Sequence, residues 1–346
     1  MGGPYAYIEY GMGSKWKWLE KIFAVFGVLA GIMGTGTLTQ ISGITTSIEH
    51  VFIDETSTFV NIFGKDVSLL AIIVGAVVTV LSALVLLGGI KRIEDVCTIV
   101  VPLMAVAYVL ICLLVICSNI SCVPDALLEI VKCAFDTKAI AGGFAGSLFL
   151  VIKEGISKGI FSNESGLGSV PIASATAQTK DPVRQGLSTM TSTFYVVVIC
   201  LMTGLAIVMA GTWNLPGVEG VDITTKAFED GLSYLPKIVP SCIVMVAITF
   251  FAFTSIVGWN VYGARCLDYL TNNSKKATTI FKWLWILAVF IGPYLSLSII
   301  WEIATLFNGL MAIPNLIALL FLNGQVSRET NKYFKEGLES LHLETV

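Results

Sequence analysis

Charge is what this sequence has least of. Asp, Glu, Lys and Arg make up 13% of its 346 residues, hydrophobic residues make up 55%, and the mean hydropathy is +0.83. That balance lies outside the range of soluble globular proteins, so the solvent for most of the chain is lipid. Histidine is nearly absent. His50 and His342 both fall outside the apolar runs, which leaves no general base for serine chemistry within them. The eight cysteines, at 97, 112, 117, 122, 133, 200, 242 and 266, show neither CxxC nor Cys/His spacing, which argues against a zinc site and a disulfide framework. The glycine-rich strings are not phosphate loops. GIMGTG (31–36) has no strand-helix unit around it and GMGSK (11–15) lacks the spacing, while NESGLG (163–168) is no nucleophile elbow.

What is present is a series of charge-poor runs long enough to cross a hydrocarbon core of about 30 Å. They predict eight transmembrane helices at about 22–48, 67–90, 97–118, 139–161, 187–212, 238–263, 280–301 and 303–323, in an all-α polytopic membrane protein of one domain. The fourth is less clean, because its apolar half is followed by Lys153 and Glu154. Helices are expected because lipid offers backbone groups no partners and no alternating barrel pattern is present. The connecting segments alternate in sign. Lys15, Lys17 and Lys21, then Lys91 and Arg92, Lys180 and Arg184, Arg265 with Lys275, Lys276 and Lys282, and finally Arg328, Lys332 and Lys335 fall on one side. Glu49, Asp54 and Glu55, then Asp125 and Glu129, then Glu219, Asp222, Glu229 and Asp230 fall on the other. By the positive-inside rule both ends are cytoplasmic, with 324–346 a cytoplasmic tail and Trp16 and Trp18 anchoring the first helix at the interface.

Small and hydroxyl residues gather at 31–43 (GIMGTGTLTQISG), 141–147 (AGGFAGS) and 251–260 (FAFTSIVGWN). The glycines are explained equally by close helix contact, but Gln40 and the Thr254–Ser255 pair need polar partners inside the membrane. Thr254 and Ser255 offer hard neutral oxygens suited to sodium. The alternative is back-bonding to the helix one turn earlier. Trp259, four residues after Ser255, lies on the same helical face. AGGFAGS is a place for a helix to break and present amides to a carboxylate. An ion channel would need a repeated filter, and none is visible. A membrane-embedded enzyme would rest on Lys153 and Glu154, which read more simply as a helix end.

GIFSNESGLGSVPIASATAQTKDPVRQGL (159–187) closely resembles the marker segment of the alanine or glycine:cation symporter family, the sodium/alanine carriers. GGPYAYIEYGMG (2–13), FAFTSIVGWNVYGARC (251–266) and IATLFNGLMAIPNLIALL (303–320) agree in the same order. The resemblance implies a transporter, not an enzyme: two inverted five-helix repeats, with the spans here corresponding to core helices three to ten and the first two lacking, as in an N-terminally truncated carrier. It implies sodium-coupled symport of a small neutral amino acid by alternating access in the cytoplasmic membrane, by a monomer without nucleic-acid partners or cofactors beyond the coupling ion. The 346 residues alone are then expected to transport little. By matching position, Gln40, Gly142, Gly143, Ser255 and Trp259 would bind the substrate, and Thr254 and Ser255 would form part of a sodium site. Where the family often has GNMVQ this sequence has GTLTQ, so Thr37 replaces an Asn and fine substrate preference stays open.

The marker itself falls on the cytoplasmic side by charge, away from a substrate at mid-membrane. Asp181 is expected to cap the next helix with Pro182 in its first turn. Ser162 or Asn163 is expected to cap a short helix with Glu164 in its first turn. Gly166 and Gly168 would permit tight turns, and Ser162, Asn163, Glu164, Gly166 and Gly168 together would act as an inner gate.

Overall fold

A computed structural model describes residues 2–53, 58–62, 65–135, 144–164, 166–179 and 181–344. The chain starts with α1 (Pro4–Tyr7), a π-turn (Ile8–Met12) and a 3-10 turn, then α2 (Lys17–Met33) and α3 (Leu38–Phe52). A β1–β2 hairpin (Phe59–Ile62, Lys65–Ser68), antiparallel with Val60 opposite Val67, leads to α4 (Leu69–Leu87) and α5 (Ile90–Ser118). There follow α6 (Val123–Phe135), α7 (Phe144–Asn163), α8 (Ser169–Ser174), α9 (Pro182–Ala210), α10 (Val221–Gly231), α11 (Ile238–Leu270), α12 (Lys275–Ile291) and α13 (Leu297–Glu344). The hairpin holds the only strands among the described residues, and it lies between two apolar runs.

Among the described residues, seven segments are long and apolar enough to cross a membrane: Ser14–Phe52, Leu69–Leu87, Ile90–Ser118, Pro182–Ala210, Ile238–Leu270, Lys275–Tyr294 and Leu297–Glu336. The expected eighth, 139–161, is not among them. Its described part belongs to α7, which carries Lys153, Glu154 and Lys158, and its first residues lie outside the described ones. The seventh and eighth expected spans also part elsewhere, at Gly292–Tyr294 instead of beside Glu302. Pro293, which has no N–H to donate, sits in the 3-10 turn that ends α12, whereas Glu302 simply occupies an exposed face of α13.

Helix α11 is the central strut, packed along both α2 and α3 and also against α5 and α12, while α13 lies against α2. The main core joins Phe23, Ile41, Ile44, Ile256, Trp259 and Trp285, all at most 4% exposed. Lipid gives helices no hydrophobic reason to associate, so small residues and polar contacts carry the packing. At Gly292 an added Cβ would stand 2.2 Å from the Ile41 side chain, and at Gly27 it would stand 2.7 Å from the Cys266 sulfur. All eight cysteines are free. Helix α9 starts as its sequence dictates, with the Asp181 carboxylate accepting from the Val183 (2.8 Å) and Arg184 (3.3 Å) amides and Pro182 at the first position.

The acidic end of the bundle is closed by a clasp. His50, in the last turn of α3 beyond the apolar run, places Nδ1 2.9 Å from an Asp222 oxygen and Nε2 3.1 Å from a Glu229 oxygen, both on α10. The Ser241 hydroxyl of α11 donates to the same Glu229 oxygen (2.5 Å). A neutral imidazole has one N–H, so only the imidazolium donates to both carboxylates. His50→Gln, which cannot donate to both carboxylates in this geometry, is expected to lower the temperature of thermal unfolding in detergent.

Candidate functional site

The first apolar run is not one helix. Between Met33 and Leu38 the chain leaves helical geometry, with Gly34 at φ −131° and ψ −122°, and the residues GTGT (34–37) join α2 to α3. A break inside an apolar bundle exposes carbonyls that must find donors. The next turn supplies them. Thr37 donates to the Ile32 carbonyl. The Thr39 hydroxyl lies 3.4 Å and 3.3 Å from the Gly34 and Thr35 carbonyls, and Gln40 Nε2 donates to Thr35 O at 3.0 Å. Thr35 turns its side chain the other way, to α13: its hydroxyl donates to Asn308 Oδ1 (3.0 Å) and accepts from Asn308 Nδ2 (2.8 Å), both residues buried. The hydroxyl-rich stretch is what lets this sequence break here.

The break lies against two indoles. A Cβ on Gly36 would stand 2.6 Å from the Gly31 carbonyl oxygen, 2.6 Å from the Trp285 ring and 2.8 Å from Trp259 Cβ. On its other side, Trp259 Nε1 donates to Glu164 Oε1 at 2.9 Å, and the Ser169 hydroxyl donates to Glu164 Oε2 at 2.6 Å. Trp259, expected in the substrate pocket, and Glu164, expected in the gate, are thus in direct contact.

The marker segment, expected on the cytoplasmic side and away from a substrate at mid-membrane, folds into the bundle and meets Trp259 there. Charge pattern sorts loops by side but does not report how far a loop folds into the bundle. Leu167 is fully buried, Gly168 abuts Phe23 and Pro4, and the Gly166 carbonyl accepts from Asn315 Nδ2 of α13 at 2.8 Å. Asn315 Oδ1 in turn accepts from the Tyr7 hydroxyl. The capping expectation is also overturned. Ser162 and Asn163 end α7 and do not start a helix, because Glu164 takes a left-handed φ of 57° with its amide bonded to Ile160 O at 2.9 Å. The short helix α8 starts later, after Gly168 at φ 93°. Ser162 is exposed, 3.1 Å from the Cys200 sulfur, and stands apart from the site.

Thr254 and Ser255 back-bond within α11: Thr254 to the Phe250 (2.9 Å) and Phe251 (3.0 Å) carbonyls, Ser255 to Phe251 O at 2.9 Å. Each hydroxyl spends its proton on the helix and keeps oxygen lone pairs for another partner. Gln40 is half-buried on α3, one turn past the break. Gly142 and Gly143 lie outside the described residues. Lys153 and Glu154 form an exposed pair at 3.8 Å, while Lys158 lies 4.2 Å over the Trp301 ring. The sequence reading missed Tyr7, Asn308 and Asn315. The last two are intramembrane amides, and the rule that drew attention to Gln40 would have found them.

A bundle of apolar helices long enough to cross a membrane, with a polar break in its first span and a loop folded onto its central strut, is the architecture of a multi-pass membrane protein. The sequence model of the sodium:alanine symporter family matches residues 1–344. An uncharacterized transporter of Haemophilus influenzae is 43% identical over 336 residues, covering 96% of this chain and 69% of that protein. The sodium/alanine symporter AgcS of Methanococcus maripaludis is 36% identical over 338 residues, with 96% and 69% covered. The amino-acid carrier protein AlsT of Bacillus subtilis is 32% identical over 348 residues, with 98% and 68% covered. The chain belongs to the sodium:alanine symporter family, and its activity is cation-coupled amino-acid symport, not enzymatic catalysis.

Gly36→Ala puts a methyl group against backbone and two indoles, and overpacking of that kind costs about 1–3 kcal/mol. It is expected to lower the unfolding temperature and uptake together. Gly258→Ala, where an added Cβ meets nothing within 4 Å, is the matched control and is expected to change neither.

Proposed function

We propose that the protein couples inward sodium movement to uptake of a small neutral amino acid, alanine or glycine, by alternating access in an inverted five-plus-five helix arrangement. The eighth crossing is the one leading into α7, and the basic end, with both ends of this chain, faces the cytoplasm. Gln40, Ser255 and Trp259 meet the substrate, the Gly142–Gly143 backbone receives its carboxylate, and Thr254 with Ser255 gives the sodium ion hydroxyl oxygens. The protein works as a monomer. The observation that carries this reading is the Trp259–Glu164 bond, because it ties a pocket residue to the loop that must repack when the cytoplasmic side opens. Sodium drives the cycle by binding one conformation better than the other, and it can shift the equilibrium only by that difference.

Two measurements test the reading. Labelled alanine or glycine is expected to accumulate in proteoliposomes under an inward sodium gradient, and accumulation under a proton gradient alone would refute sodium coupling. For the gate, Gly166→Val with Gly168→Val forces side chains onto left-handed backbone (φ 85° and 93°) and, at 168, within 2.7 Å of Phe23 and Pro4. Uptake is expected to fall at least tenfold, and unchanged uptake would remove the loop from the gate.

A further inference from the structure

The basic end holds a second polar feature, distant in sequence from the marker loop and unused by transport. A cavity of about 320 Å³ lies between α4, the start of α5, α11 and α12. Its apolar wall includes Leu86, Ile90, Ile93 and Val261, and its polar groups are Asn260, Arg265, Asp268, Thr278 and Lys282. Ile90, on the wall, is 52% exposed, so the cavity reaches the outer surface of the helices. Lys91 and Arg92 follow it and are exposed at the same end.

The polar groups are unevenly satisfied. Asp268 accepts from the Thr278 hydroxyl at 2.7 Å and sits 4.0 Å from Arg265, a loose pairing. Lys282 Nζ reaches the Leu86 carbonyl at 3.3 Å, one bond for a group with three donors. Asn260 is 3% exposed and its Nδ2 has no partner. A buried amide without an acceptor costs about 1–3 kcal/mol, so a helix keeps one there only when something accepts from it. Two cations against one carboxylate leave the cavity net positive. The three donor side chains Asn260, Arg265 and Lys282, beside apolar walls open to lipid, fit an anionic group attached to a hydrocarbon body.

We propose that this cavity binds the phosphate of an anionic phospholipid, with Arg265 and Lys282 neutralising it, Asn260 Nδ2 donating to a phosphate oxygen, and the apolar wall receiving the glycerol and upper acyl carbons. Native mass spectrometry and thermal unfolding of the purified protein, with phosphatidylglycerol or phosphatidylcholine added, test this. Phosphatidylglycerol is expected to bind in preference and to raise the unfolding temperature more. Arg265→Gln with Lys282→Gln is expected to weaken phosphatidylglycerol binding roughly tenfold or more, since each lost cation is worth about a factor of five at such a surface. Asn260→Leu is expected to weaken it too while leaving unfolding in phosphatidylcholine unchanged or higher, an outcome a purely structural Asn260 does not produce. Equal binding of the two lipids, or a preference that survives the double substitution, would overturn the site. Stabilisation by inorganic phosphate equal to that by phosphatidylglycerol would assign it to a soluble anion instead of a lipid.

Discussion

The hydrogen bond from the Trp259 indole to Glu164 holds the interior of the bundle in register. Trp259 is fixed from behind by the missing side chain at Gly36, which lets the broken first span approach its Cβ to a distance no other residue permits. It is fixed from in front by a carboxylate oxygen whose partner oxygen is held by Ser169. Among the described residues no cation lies within 4 Å of Glu164, so the carboxylate rests on two neutral donors. Moving the loop therefore releases the indole, and moving the indole leaves Glu164 short of a donor, which is costly in a medium poor in water. Coupling of this kind is what the proposed gate would require.

The other polar groups inside the bundle follow the same logic with less at stake. Thr37, Thr39 and Gln40 close the break on itself, Thr35 and Asn308 join it to α13, and Asn315 ties α13 to both the loop at Gly166 and the N-terminal segment at Tyr7. Helix α13 thus bonds to the first span through Asn308 and to the marker loop and the N-terminal segment through Asn315. At the acidic end the His50 clasp joins α3, α10 and α11 through charge instead. The two ends are held by different chemistry.

Much of this fold was legible in the sequence because lipid enforces simple rules. Charge-poor runs located seven crossing segments, and Asp181–Pro182 announced the start of α9. The break at 34–37 was not legible, since glycines inside an apolar run signal close packing as readily as a discontinuity, and only the carbonyl bonds of Thr37, Thr39 and Gln40 distinguish them. Glu164 was expected in the first turn of a short helix and lies instead in the turn that follows α7, against Trp259. A carboxylate in a loop reads as solvated, and nothing in the local sequence says that Trp259, 95 residues later, will donate to it. Asn308 and Asn315 were legible as intramembrane amides by the rule that singled out Gln40, but their partners Thr35, Gly166 and Tyr7 were not. Family resemblance carried the activity, and geometry supplied the Trp259–Glu164 contact.

The most direct test is a double-substitution cycle at that contact: sodium-driven alanine uptake by Glu164→Gln, Trp259→Phe and the pair, with folding checked by thermal unfolding. If the bond couples pocket to gate, each single change lowers uptake and the pair is no worse than the more damaging single. Losses that multiply, or a Glu164→Gln protein that transports as the unaltered one does, would contradict the account.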